Sequence, residues 1–174
     1  MMVTRTPMPQ AENCQSRLNS FVEGKDPIAM QSAACSTIAE LIAGVGNEDL
    51  QRRPAPEKWS VGEIIAHLAE DELVTSWRYR QMIENSGCAL ASFDQDQWAR
   101  LGDYRSWRPA DALAMFRLLR EANLRMLRSL ASEEWDRFGV HAERGRITVR
   151  DLVRHMAGHD MNHVEQIRSI LRRS

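Results

Sequence analysis

Residues 147–171 read ITVRDLVRHMAGHDMNHVEQIRSIL. An α-helix turns about 100° per residue, and on that wheel Val149, Leu152, Met156, Ile167 and Ile170 share one face. His159 and His163 fall on the same face, one turn apart. Burying an imidazole without a partner costs free energy, so two of them in adjacent turns of an apolar stripe suggest a shared partner. The i, i+4 spacing lets two imidazoles converge on one metal ion; the alternative is a pair of hydrogen-bonded core histidines. His155 is a third candidate, but it cannot share an ion with His163. Eight residues of helix rise about 12 Å, whereas each Zn–N bond is about 2 Å. It also lies further off the stripe. Any remaining ligand must come from elsewhere.

Three more amphipathic stretches precede this one. The first runs from about Pro27 to Ala43, with Pro27 acceptable in a first turn and Gly44 a natural stop. The second starts at Ser60, where Ser60 and Glu63 form a capping box and Trp59 and Ile64 occupy hydrophobic-staple positions. It is expected to last until Asn85-Ser86-Gly87. The third spans about Pro109 to Leu130, and the fourth begins at Thr148. The connection 87–108 carries Phe93, Trp98, Tyr104 and Trp107, so it should pack down, with Asp94 capping a short helix near Gln95–Leu101. A second connection, 131–146, holds Trp135, His141 and a turn-like Glu143-Arg144-Gly145. There is little strand signal. The expected fold is all-α: an antiparallel four-helix bundle with long aromatic-containing connections, whose interior can hold a metal site.

The 174 residues fit one domain. The first twenty are polar and are expected to form a mobile extension (1–20) ahead of the bundle (21–174). A net charge of −1 gives no bulk attraction to nucleic acid or membrane. Only Lys25 and Lys58 are lysines, and the arginines alternate with acids as on solvated helix faces. No stretch is apolar enough to span a membrane or to serve as a signal peptide. Cys14, Cys35 and Cys88 form no CxxC, which suits a reduced cytoplasmic setting.

WSVGEIIAHLAEDE, from Trp59, echoes ITVRDLVRHMAGHD, from Ile147. Each has a staple residue, a Ser or Thr N-cap, an acid three residues on, a branched apolar pair, and then histidine. Either both helices solve the same capping problem or an old duplication left pseudo-two-fold symmetry. His67 lies two turns into its helix, beside the bundle seam, and is the best available third ligand.

At these residues the chain resembles the DinB-like (YfiT-like) superfamily of metal-binding four-helix bundles. The resemblance runs from Phe21 onward. It rests on the Pro-rich connector into KWSVGEIIAHLAEDE, the FDQDQW segment, the HAERG turn and the ending HMAGHDMNHVEQI. It implies a three-histidine site for a divalent metal made of His67, His159 and His163, with water in the open positions. Zinc is the first expectation, and nickel, iron or copper also suit imidazole. The resemblance further implies a homodimer and, in some members, thiol-dependent S-transfer. Many relatives have aspartate where this chain has Glu70.

Further candidates are weaker. Glu72 lies in the apolar stripe of its helix and could carry a proton or orient a ligand, or simply hydrogen-bond to tryptophan, tyrosine or arginine. Asp160 and Gln166 could each brace an imidazole. His141 and Glu143 sit in a loop that could reach the bundle mouth. The expected activity is that of a metal-dependent enzyme; the residues alone do not choose its reaction, and the resemblance implies a thiol S-transferase acting with a low-molecular-weight thiol and a small-molecule substrate. The alternatives are a metal-dependent hydrolase and a non-catalytic metal-binding or stress-response protein. An open position at the metal favours catalysis, and a fourth protein ligand favours structure.

Overall fold

The computed structural model describes residues 9–172, with side chains from Gln15 onward. The helices, in chain order, are α1 (Pro9–Val22), α2 (Pro27–Ile42), α3 (Asn47–Gln51), α4 (Val61–Glu84), α5 (Gln95–Leu101), α6 (Pro109–Arg128) and α7 (Val149–Leu171). Three short strands intervene: β1 (Cys88–Leu90), β2 (Phe138–His141) and β3 (Gly145–Thr148). Helices α2, α4, α6 and α7 form a four-helix bundle.

Both capping boxes form. Glu63 N donates to Ser60 Oγ at 3.2 Å and Ser60 N donates to Glu63 Oε2 at 2.9 Å. Asp151 N donates to Thr148 Oγ1 and Thr148 N to Asp151 Oδ2, both at 3.0 Å. Each cap satisfies amide groups that a helix start leaves free. They set the starting points, and hence the phase, of the two helices that carry the histidines. Asp94 accepts from Asp96 N and Gln97 N and starts α5 as expected.

The contacts fix the helix directions. His67, Thr75 and Tyr79 of α4 meet His163, Met156 and Val149–Val153 of α7 in reverse order, so these two helices run antiparallel. Gln31 of α2 donates to Val153 O at 2.8 Å, while Ile38 shares a cluster with Val164 and Ile167, so α2 and α7 run parallel. Along α4 and α6, Ile65 clusters with Phe116, Glu72 meets Arg120, and Met82 clusters with Leu127. These two sequence neighbours therefore run parallel. The connection between them, residues 85–108, is long enough to return the chain to the same end, where a short loop would have forced reversal.

Two apolar clusters fill the bundle. One, around Ile38, Ile64, Ile65, Phe116, Val164 and Ile167, sits at the N-terminal half of α4. The other, around Tyr79, Met82, Leu127, Val149, Leu152 and Met156, sits at its C-terminal half. Between them lies a buried charged group: Arg120 bonds to Asp160 Oδ2 at 2.5 Å, to Glu72 Oε2 at 2.8 Å and to Gln31 O at 3.0 Å. Asn123 Nδ2 completes Glu72 by donating to Oε1 at 2.7 Å.

Two features depart from the sequence reading. From Pro9 the chain is helical, and Leu18 and Val22 of α1 are buried against α7, so residues 9–20 are not a loose extension. Residues 1–8 lie outside the described residues. Gly158 permits this contact, because a Cβ there would stand 2.5 Å from Leu18 O. The second is a three-stranded sheet in which β1 pairs parallel with β2, and β2 antiparallel with β3. It joins the end of α4 to the start of α7. Among the described residues no helix is long and apolar enough to cross a membrane.

Candidate metal centre

His67 projects from the second turn of α4 and His159 and His163 from the middle of α7. Their rings meet edge to face, with centroids 4.5–5.3 Å apart. His159 Nε2 lies 3.3 Å from His67 Nε2 and 3.1 Å from His163 Nε2. All three donor atoms lie within 4.8 Å of one another. Two Zn–N bonds of about 2.0–2.1 Å at a tetrahedral angle place their nitrogens about 3.3 Å apart. The spacing thus fits a small divalent ion, and the donor set suits it.

Burial keeps the imidazoles in the neutral form that ligation requires. Burial pushes His67 down to about 3, with His163 adding to the effect. His163 is pushed down to about 4 by burial, opposed by its bond to Gln166. His159 is held well below its usual value by burial and then by His163 and His67. His163 Nδ1 lies 3.0 Å from Gln166 Oε1. A donated proton there leaves the Nε2 lone pair free. Trp59 packs against His67 with centroids 5.0 Å apart, closing one side.

The carboxylate nearest to this cluster is Asp71, whose Oδ2 stands 3.6 Å from His159 Nδ1. That distance exceeds a hydrogen bond, and His159 Nδ1 is buried without a partner. Burial pushes Asp71 up to about 7, opposed by the charge of Arg78. Asp71 was not singled out in the sequence, although its i+4 relation to His67 puts both on one helix face.

The other candidates fall elsewhere. Glu72 and Asp160 are both bound to Arg120 in the bundle interior. His155 stacks on His159 at 6.3 Å but stays outside the group of three. His141 ends β2, with Nε2 3.3 Å from Ser92 Oγ and Nδ1 accepting from Glu143 N. Glu70 accepts from Tyr104 Oη at 2.7 Å, pinning the aromatic connection to α4. A groove of about 930 Å³ between α2 and α6 contains none of the three histidines.

Residues 32–167 match the family profile of the DinB superfamily. The chain belongs to this superfamily. Two candidate metal-dependent hydrolases of Oceanobacillus iheyensis are similar to it: one is 26% identical over 133 residues, 76% of each chain, and the other 23% identical over 135 residues, 77% of each. The solved structure of YfiT from Bacillus subtilis, described as a probable metal-dependent hydrolase with an unusual four-helix bundle topology, superposes with a TM-score of 0.78. It is 17% identical, and the match covers 99% of this chain and 92% of YfiT. A mycothiol-dependent maleylpyruvate isomerase superposes with a TM-score of 0.67 at 10% identity. That match covers 81% of this chain and 59% of the isomerase, and at such identity it speaks for the fold alone.

Proposed function

We propose that this DinB superfamily member is a metal-dependent hydrolase whose divalent ion is held by His67, His159 and His163. The observation that carries the reading is the convergence of three neutral Nε2 atoms at 3.1 and 3.3 Å, with no fourth His, Cys, Asp or Glu in the group among the described residues. Three protein ligands with a position left over are the pattern of catalytic rather than structural zinc sites. Such an ion supplies Lewis acidity and lowers the pKa of water at its open position.

The protein's own groups have separate tasks. Gln166 sets the tautomer of His163, and Asp71 faces the far nitrogen of His159 across 3.6 Å. Trp59 shields His67 from solvent on one side. The hydrolase names of the sequence relatives favour hydrolysis over thiol transfer, the activity first expected.

Elemental analysis of the purified chain tests the site: one zinc, nickel, iron or copper per chain is expected. His67→Ala, His159→Ala and His163→Ala should each empty it, whereas His155→Ala should not. Fully loaded protein should then cleave members of an ester and amide panel. Turnover that requires an added thiol acceptor would replace the hydrolase reading with a transferase. A loaded protein inert to both panels would overturn catalysis.

A further inference from the structure

The groove of about 930 Å³ between α2 and α6 has the size of a small-molecule site. Its origin is legible in α2. The face that α2 turns to α6 carries Ser32, Ser36 and Ala39, at i, i+4 and i+7, so no large side chain fills the gap. Helix α2 runs parallel to α7, α6 runs parallel to α4, and α4 opposes α7, so α2 and α6 are antiparallel. The groove therefore has two unlike ends. At the close of α2 and the opening of α6 it is lined by Ile42, Ala110 and Leu113. At the opening of α2 and the close of α6 it is lined by Ser32, Arg125 and Arg128.

The charge of the lining is one-sided. The lining residues of α2 are uncharged, while α6 contributes four arginines and a single acid, Glu121. Arg117 is paired with Glu121 at 3.0 Å, and Arg120 is held from behind by Glu72 and Asp160. Arg125 and Arg128 are exposed and, among the described residues, form no ion pair or side-chain hydrogen bond. Their place in the last turn of α6 complements the helix dipole, but that leaves the groove beside them unexplained. Arg120 lines the groove, is 2% exposed, and keeps a buried Nε without a hydrogen-bond partner. This is an unsatisfied donor in the groove wall, which a bound oxygen acceptor would complete. Guanidinium forks bind carboxylates by short, charge-assisted bonds.

We propose that the α2–α6 groove is a second ligand site, which binds one free fatty carboxylate with its head at Arg125 and Arg128 and its hydrocarbon tail toward Leu113 and Ile42. From Leu113 to Arg125 the helix rises about 18 Å, which accommodates an extended medium-chain tail. The apolar surface is recessed between two helices, so it suits a single chain rather than the face of a bilayer. None of the three histidines lines the groove, and the site stands whether or not the chain is a hydrolase.

Calorimetric titration of the full chain with decanoate, kept below its micellar concentration, tests this. Saturable binding of one molecule per chain is expected. Butyrate, which keeps the head and loses the tail, should bind at least tenfold more weakly, and so should the cationic decyltrimethylammonium. Arg125→Gln and Arg128→Gln together should weaken decanoate at least tenfold; both residues are exposed, so the fold is kept. Ala39→Trp fills the groove from an exposed position and should block decanoate, with circular dichroism and metal content unchanged. His163→Ala should lose the metal and retain decanoate, which separates this site from the three-histidine centre. The proposal is overturned by a wild-type chain that does not bind decanoate saturably, by equal affinity for the cationic amphiphile, or by undiminished binding in the double arginine variant or in Ala39→Trp. A chain that ignores decanoate but forms a dimer that Ala39→Trp dissociates would overturn it too, and would assign the groove to a second copy.

Discussion

Asp71 Oδ2 and His159 Nδ1 face each other across 3.6 Å, at the end of the ring remote from His67 and His163. A carboxylate behind a ligating imidazole fixes the ring and raises its basicity. Asp71→Asn removes the charge and keeps the shape. It should lower metal affinity or turnover about 10–100-fold, the usual cost of losing such a partner, with little change in melting temperature. Unaltered affinity and turnover in a competitive chelator titration would make Asp71 a packing residue only.

Arg120 is the buried counter-ion of two acids. Burial pushes Asp160 up to about 6 against the lowering effect of Arg120. Arg120→Met would leave Glu72 and Asp160 without a cation, and should cost about 3–5 kcal/mol in urea unfolding. Glu72→Gln is milder, about 1–3 kcal/mol, and should leave metal content normal. A large fall in turnover at full stability would make Glu72 a proton carrier.

His155 gives a pH dependence. Burial pushes its imidazole down to about 4, with Arg144 and Arg78 adding to the effect. The unfolded chain therefore holds more protons on this residue than the folded chain between about pH 4 and 6.5. Its contribution to stability is complete above pH 6.5 and is lost as pH falls toward 4, up to about 3 kcal/mol in all. Asp71 and Asp160, with raised values, slope the other way over an overlapping range. The difference between wild type and His155→Gln isolates the effect: the gap in unfolding free energy should change between pH 6.5 and 4.5 and be flat above 7.

Gly158 sits mid-helix, where alanine ordinarily gains about 1 kcal/mol. Here the added methyl would meet the Leu18 backbone at 2.5 Å. Gly158→Ala should instead destabilise by about 1–3 kcal/mol, as overpacking does, and should expose α1 to limited proteolysis. A melting temperature at or above wild type would show that α1 shifts freely.

The bundle helices were legible because each carries a strong period and an explicit start signal. Ser60 with Glu63 and Thr148 with Asp151 mark two starts, and Pro27 and Pro109 the other two. The His159–His163 pair was legible for the same reason, since a polar residue in an apolar stripe stands out. His67 needed the internal echo, and the full set of three needed the family resemblance. The parallel run of α4 and α6 was not legible: amphipathic phase says which face is buried but not which way the helix points. The sheet was missed because strands of three or four residues show no alternation, and Gly139 breaks β2 where Leu90 packs onto its backbone. Helix α1 was missed because Leu18 and Val22 are too few to mark an apolar face.

Asp160 could have been read as buried, since it follows Met156 by four residues on the stripe. Its partner could not: Arg120 reads as one more arginine on a solvated helix face, and only packing across the bundle reveals the pairing. Asp71 was overlooked for a related reason. Charged residues in runs of charge look like surface until a neighbouring element closes over them.

His67 and His159 are 92 residues apart in the chain. An ion gripping both would act as a rivet between the first half of the molecule and its final helix. Closing a loop of roughly that length in a disordered chain costs about 4–5 kcal/mol. The unfolded protein is therefore a poor chelator, and the folded one presents its donors already gathered. Ion occupancy would then tighten the whole bundle by mass action, about 2.7 kcal/mol at a hundredfold excess over the dissociation constant. In such a molecule the supply of metal governs how long the chain survives as well as what it can do.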